Sequence, residues 1–282
     1  MADEALRVAV LGGRGMLGTD LVSTCRQQGF DPIVLDLPEF DITNNDQVQN
    51  AVAEAEVIVN CAAYTNVDGA EAQEELAYKI NAEAVGRLGT FIHDAGKWIL
   101  HISTDFVFDG NGDRPYFESD RPNPINMYGK TKLAGEQLLA GSGCEHCIVR
   151  VQWTYGSAGN NFVTKLIKRA KSQNVLKVVD DQTGSPTATI EAAKALCDLL
   201  RKKPNGIYHF ASAGYVSRFD MAQFILDKLP MDVNLLHCKT SDFSSPARRP
   251  LNSCFDCSKI LPLLDEPIKP WQAPLELFLR KL

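Results

Sequence analysis

With 282 residues, 45% of them apolar and 23% charged, the chain has the size and composition of one large α/β domain or two closely joined ones. A net charge of −6, with no run of Lys or Arg longer than three, excludes a nucleic-acid surface but leaves room for a small anionic ligand. No apolar run reaches bilayer length, and the acidic start MADEALR lacks a secretory signal's basic and apolar regions, so a cytoplasmic location without a membrane partner is expected.

The first predicted strand is RVAVL, residues 7–11. A glycine loop follows, then a helix that places Leu17, Leu21 and Cys25 on one face and stops at Gly29. A second strand, PIVLD, ends on Asp36, and the next helix takes Thr43 as N-cap and buries Val48, Val52 and Ala55. EVIVNCA, WILHIS and CIVRV follow with helical patterns between them. All five runs are continuous rather than alternating, as in strands buried on both faces of a parallel sheet. Beyond about residue 152 the pattern is less regular. Helices are predicted near 161–172, 187–203 and 217–229, strands at 176–179 and 207–210, and a short amphipathic helix in WQAPLELFLRKL.

Strands alternating with helices imply βαβ units in an α/β, Rossmann-type doubly wound parallel sheet. A smaller, partly interleaved C-terminal substrate domain follows. The division expected is 1–155 with about 176–203 in the nucleotide-binding domain, and about 156–175 with 204–282 in the substrate domain.

The loop reads in two registers, Gly13-x-Gly15-x-x-Gly18 and Gly12-x-x-Gly15-x-x-Gly18. Between a strand and a helix, either brings backbone N–H groups and a helix N-terminus to a dinucleotide pyrophosphate. Asp36 stands where an acidic residue binds the ribose 2′-hydroxyl, which favours NAD. Arg14 could instead pair a 2′-phosphate, which favours NADP. The two signals conflict.

Tyr128 and Lys132 share a helix face at i, i+4, and no other tyrosine of the seven has Lys four residues later. Reduction of a carbonyl by hydride needs a proton donor at the nascent alkoxide. A nearby ammonium would lower the pKa of Tyr128 toward the working range, and Lys132 could also hold the nicotinamide ribose. Strand WILHIS ends at Ser103-Thr104, at the carboxyl edge of the sheet where open α/β sheets bind ligands. Either hydroxyl could orient a substrate carbonyl, with Thr104 preferred.

The segments Gly12-x-x-Gly15-x-x-Gly18, NCAAYTNVDGAE, STDFVFDG and YGKTKLAGE resemble the extended short-chain dehydrogenase/reductase superfamily. RVQWTYG with GNNFV, VVDDQTGSPT and PARRPLNS narrow the resemblance to the dTDP-4-dehydrorhamnose reductase family, from Arg7 to about Lys259. That resemblance selects the Gly12 register. It implies hydride delivery from NADP or NAD to carbon 4 of a 4-keto-6-deoxyhexose carried on a nucleotide. Thr104, Tyr128 and Lys132 would be the catalytic set. The cofactor would lie against Gly12, Arg14, Gly15, Met16, Leu17, Gly18, Asp36, Asp41 and Ile42, then Ala62, Ala63 and Tyr64. Asp105, Phe106, Trp153, Asn161, Arg249 and Asn252 would face the sugar nucleotide, with the pattern favouring Arg249 over Arg248.

Several positions depart from the family pattern. Phe106 stands where Tyr is common, and Gln152 where a small residue is usual. Some members bind Mg²⁺ at a dimer contact. Here Asp20 matches the first carboxylate but Ile190 takes the place of the second, with Glu191 adjacent, so no metal is assigned; a homodimer is compatible with the resemblance. The pairs Cys144/Cys147 and Cys254/Cys257 have zinc-like spacing but lack the surrounding Gly-rich knuckle. Cys25, Cys61 and Cys197 read as small core residues. The alternatives are a related ketoreductase of another deoxysugar, or a non-catalytic cofactor-binding subunit like the β subunit of methionine adenosyltransferase. Phe106 after Asp105, where a dehydratase has Glu, disfavours dehydration.

Overall fold

The computed structural model describes residues 5–229 and 231–282. Its first half runs β1 (Arg7–Leu11), α1 (Met16–Gln27), β2 (Asp31–Leu35), α2 (Asn45–Glu54) and β3 (Val57–Asn60). Helices α3 (Val67–Ala72), α4 (Glu74–Tyr78) and α5 (Ala84–Asp94) follow, the last two joined by a π-helical turn at Lys79–Glu83. Then come β4 (Trp98–Thr104), α6 (Met127–Gly141) and β5 (Glu145–Val151). The second half is more broken: β6 (Thr154–Tyr155), α7 (Phe162–Ala170), β7 (Val175–Val179), β8 (Thr183–Gly184), β9 (Thr187–Ala188) and α8 (Thr189–Lys202). It ends with β10 (Gly206–Phe210), β11 (Val216–Ser217), α9 (Arg218–Asp227), β12 (Asn234–Cys238) and α10 (Gln272–Leu279).

Six strands pair in the order β10-β5-β4-β3-β1-β2, all parallel. This is the doubly wound Rossmann arrangement. The strand order reverses between β1 and β3, and the crevice above their carboxyl ends is where ligands bind in such sheets. Val8, Val10, Val57, Val59 and Leu100 face α1 and α8 on one side, while Ala9, Leu11, Ile58 and Ile99 face α2, α5 and α6 on the other. Both faces are therefore buried, which is why the strand sequences do not alternate. A third core, around Leu166, Leu176, Met221, Ile225 and Leu275, joins α7, α9 and α10 beyond the sheet. Among the described residues no helix is long and apolar enough to cross a membrane.

Two short strands lie in the opposite layer from the one expected. Residues 206–210 form β10, paired with β5 at the sheet edge, whereas 175–179 form β7, paired with β12 outside it. The parallel sheet thus reaches past residue 203 and does not include 176–179. The first helix stops as expected, with Gly29 at φ +82° after Gln28. The cap of α2 is Asn44 rather than Thr43: its side chain accepts from the amides of Asp46 and Gln47 at 3.1 and 3.2 Å. A turn from Asp41 to Asn44 moves the helix start one residue on.

Candidate active site

The glycine loop sits on the switch point. Gly12 has φ +74°, and a Cβ there would stand 2.7 Å from the backbone nitrogen of Ala62 at the end of β3. Any side chain would therefore separate the two strand ends that form the crevice. A Cβ on Gly18 would collide with Gly12 O. Gly12 and Gly18 are thus the glycines the packing requires, while Gly13 is merely close to Val10 and Val34. Helix α1 opens at Gly15 with no side chain capping it, leaving first-turn N–H groups for an anion. These features fit a dinucleotide.

Asp36 binds the loop rather than standing free. Its carboxylate accepts from the amides of Arg14 and Leu37, each at 2.8 Å. The Arg14 guanidinium donates to Leu37 O at 3.1 Å and pairs with Glu39 at 2.6 Å. Arg14, Asp36 and Glu39 thus share one rim, at the end of β2.

A cleft of about 660 Å³ opens from this rim. Met16, Leu17, Asp41 and Ile42 line one end, with Ala62 and Ala63 along its floor. Thr104, Asp105, Phe106, Tyr128, Lys132 and Trp153 line the other end. Cys61 also faces the cleft instead of packing purely as core.

Strand β4 delivers Thr104, and helix α6 delivers Tyr128 and Lys132 one turn apart, starting from Asn126, whose side chain accepts from the Gly129 amide at 2.8 Å. A Cβ on Gly129 would strike Phe106 O, so this glycine lets α6 approach the end of β4. Ser103 also lines the cleft, but its hydroxyl is used in donating to the buried Glu136, which leaves that of Thr104 for a ligand. Thr104 Oγ1 donates to Asp105 Oδ1 at 3.1 Å and accepts from the Phe106 amide at 3.2 Å. The rings of Phe106 and Tyr128 meet edge to face, 5.6 Å between centres.

Burial pushes the Tyr128 hydroxyl up to about 12, with a hydrogen bond to Thr104 opposing and the Asp105 charge adding to the rise. This is opposite to the lowering expected from Lys132. Lys132 itself is buried and brought down to about 8 by desolvation, against the pull of Glu136 and Cys61. Its Nζ donates to Ile102 O at 2.7 Å and lies 3.3 Å from Nε2 of His101. The Asp105 carboxyl is raised to about 6 by burial, opposed by Ser253 and Thr104 beside it, and its Oδ2 has no partner at good hydrogen-bond geometry. An unpaired buried oxygen facing a cleft can accept from a ligand hydroxyl. The arrangement can therefore hold a carbonyl between two hydroxyls, one of them a proton donor.

Five of the residues expected to contact ligand do not line this cleft: Arg14, at its rim, is turned to Leu37 O and Glu39, and four others are held elsewhere. Tyr64 directs its hydroxyl at Gln73, 3.4 Å away, while its amide bonds to Asn81. Asn161 caps α7 and donates to Gly156 O at 2.9 Å. Asn252 donates to the carbonyls of Gly112 and Arg114 and accepts from the Cys254 amide, so its amide group is used in bracing a loop. Arg249 pairs with Asp68 at 2.7 Å and lines a neighbouring cavity with Arg248. The expected neighbour Gln152 is buried, its Oε1 accepting from the Ser185 amide at 3.0 Å. Asp20 accepts from Thr189, and Glu191 is tied to Lys194 and Lys269. No cluster of three His, Cys, Asp or Glu side chains forms a metal site among the described residues, and the C-x-x-C pairs do not meet.

Arg218 was not anticipated. It opens α9, lines the cleft, and lies over the Trp153 ring. Its signal was a cation at the positive end of a helix, where a basic residue is electrostatically unfavourable. Thr65 and Val67 also line the cleft and were missed, because neither carries a distinctive chemistry.

The family model for the RmlD substrate binding domain matches residues 6–282. A dTDP-4-dehydrorhamnose reductase from Aggregatibacter actinomycetemcomitans is 36% identical, covering 96% of this chain and 97% of its own. The crystal structure of dTDP-4-dehydrorhamnose reductase from Bacillus anthracis in complex with NADP is 36% identical, with a TM-score of 0.94 over 99% of this chain and 100% of that one. The enzyme from Clostridium acetobutylicum superposes with a TM-score of 0.93 at 36% identity, over 98% of this chain and 99% of that one. With the glycine loop, the β4 hydroxyl and the Tyr128/Lys132 pair gathered in one cleft, and with relatives matched end to end, the chain belongs to the dTDP-4-dehydrorhamnose reductase family.

Proposed function

We propose that the protein reduces the 4-keto group of a nucleotide-activated 6-deoxyhexose, converting dTDP-4-dehydro-L-rhamnose to dTDP-L-rhamnose with NADPH. The observation that carries this reading is the convergence of Thr104, Tyr128 and Lys132 in the same cleft as the glycine loop. Support for the cofactor comes from the NADP-bound relative and from Arg14 at the rim.

When bound, the reduced nicotinamide supplies a hydride to the carbonyl carbon. Tyr128 gives its phenolic proton to the oxygen that becomes an alkoxide, and its burial keeps that proton in place until then. Thr104 orients the same oxygen. Lys132, held by Ile102 O, keeps its remaining donors for a ribose. Asp105 accepts from a sugar hydroxyl through its unpaired Oδ2, and Trp153 with Arg218 forms the wall against which the nucleotide sugar lies. A cytoplasmic enzyme with free access to nucleotide sugars suits this chemistry.

The direct test is oxidation of NADPH and NADH against dTDP-, GDP- and UDP-linked 4-keto-6-deoxyhexoses. Turnover selective for the dTDP-4-keto sugar is the expected result. Selective turnover of another sugar would assign a related ketoreductase. Cofactor binding with no turnover of any of them would overturn the enzymatic reading.

A further inference from the structure

Asn126 is buried, and both ends of its side-chain amide are used. Its Oδ1 accepts from the Gly129 amide at 2.8 Å, which caps α6. Its amide nitrogen donates to the carbonyl of Arg248, 122 positions away, at 2.7 Å. The two partners fix which way the group points, because a backbone N–H needs the oxygen and a carbonyl needs the NH₂. Ser, Thr or Asp would cap the helix as well. None of them would also serve Arg248 O: Asp carries no donor, and the single hydroxyl of Ser or Thr is too short to span both partners.

Asp68 and Glu71 on α3 hold the same two segments. Asp68 pairs with Arg249 at 2.7 Å and accepts from the Ser245 hydroxyl at 2.9 Å and the Ala247 amide at 3.3 Å. Glu71 accepts from the Met127 amide at 2.7 Å. Loop 245–249 is thus fastened to the first turn of α6 directly by Asn126 and indirectly by α3. Tyr128 stands between the two held amides, those of Met127 and Gly129. Its turn has no slack toward β4, since a Cβ on Gly129 would strike Phe106 O.

The loop faces a second cavity, of about 610 Å³, lined by Arg248 and Arg249 together with the exposed Phe243 and Leu251. Guanidinium groups suit a diphosphate, and an exposed ring suits a base. The nucleotide end of the proposed substrate is the part that this loop can take.

We propose that Asn126 is a positioning residue that ties the seat of Tyr128 to the arginine-bearing loop, so that the nucleotide end of the substrate sets the proton donor. The inference rests on the reading of Tyr128 as proton donor and of a nucleotide sugar as substrate. Binding energy from the remote, unreacting end is then realised at the reacting centre. A 4-keto sugar without its nucleotide is reduced more slowly, not merely bound more weakly.

N126S separates the tie from the cap, because Ser caps a helix about as well as Asn but does not reach Arg248 O. Its kcat for dTDP-4-dehydro-L-rhamnose should fall about 10-fold, the scale of a small misplacement of a reacting group. The Kd for NADPH and the melting temperature should stay close to those of the parent. N126A loses cap and tie together, and should match N126S in kcat while melting at a lower temperature. A spectroscopic signature reads the tie without turnover. In protein labelled with 3-fluorotyrosine, the Tyr128 ¹⁹F resonance, assigned by its loss in Y128F, should move when dTDP is added. In N126S it should stay in place although calorimetry shows dTDP still binding. A merely structural role would lower the melting temperature of N126S and leave the dTDP response intact. An unchanged kcat in N126S overturns the proposal, as does a Tyr128 resonance that answers dTDP alike in both proteins or in neither. No binding of dTDP to the unmutated protein would instead overturn the nucleotide-sugar reading, and near-normal turnover by Y128F the catalytic one.

Discussion

The guanidinium carbon of Arg218 lies 3.4 Å from the centre of the Trp153 ring. Trp153 adopts φ +44°, a left-handed conformation that costs a bulky residue on the order of 1–3 kcal/mol. The site accommodates it through Gly184, where a Cβ would stand 2.7 Å from the indole. Desolvation brings Arg218 down to about 9 although Asp105 opposes the shift, so a half-buried cation and a buried acid flank the same wall. Strain and burial of this kind persist where a ligand repays them.

Replacing Arg218 with Ala should therefore raise KM for the nucleotide sugar and lower kcat/KM by about 10- to 100-fold, the scale of one charge-assisted contact plus the cation–π pair. The Kd for NADPH, measured by fluorescence titration, should change by less than about twofold, since Arg218 stacks on the rings of Trp153 and Phe162 rather than on the glycine loop. Equal losses in both would show that Arg218 supports the fold rather than the substrate wall.

Asp105 should trade stability for binding. Its carboxyl is raised from 3.8 to about 6, so the fold prefers the neutral acid. The stability this group contributes is full below about pH 4 and is lost as pH rises through 6. D105N removes the cost of a buried charge and should unfold at higher temperature than the parent at pH 8, by at most about 3 kcal/mol of stability, with the gap closing toward pH 4. The same variant should lose the acid limb near pH 6 in kcat/KM. A gap in melting temperature that does not depend on pH would contradict this account.

Arg14 and Glu39 set up a test of cofactor choice. R14A should weaken NADPH more than NADH, because only NADPH carries the 2′-phosphate that a guanidinium can pair. E39Q frees Arg14 from its partner and should strengthen NADPH relative to NADH. The pair is exposed, so both effects should shrink in high salt. Equal changes for the two cofactors in either variant would remove Arg14 from the phosphate site.

What could be read in the sequence is what is encoded locally. The glycine loop, the continuous apolar strands and the Tyr128/Lys132 spacing each depend on one turn, strand or helix. The carboxyl end of β4 could be located because a parallel sheet places such ends together. The partner of a short strand is a different kind of fact. The runs at 175–179 and 206–210 are both short and mostly apolar, and only packing sends one to β12 and the other to β5. The same holds for Asn161, Arg249 and Asn252. Their residue types suit a ligand, but Asn161 and Asn252 are taken up mainly by backbone groups and Arg249 by Asp68. Arg218 reaches the cleft only because α9 starts beside Trp153, a contact between residues 65 positions apart.

The central claim is that Tyr128 donates the proton. The measurement that tests it most directly is turnover of dTDP-4-dehydro-L-rhamnose by Y128F at saturating NADPH, with cofactor binding measured on the same protein. The account predicts a loss of about 100-fold or more in kcat with the Kd for NADPH nearly unchanged. Near-normal turnover in that variant would contradict it.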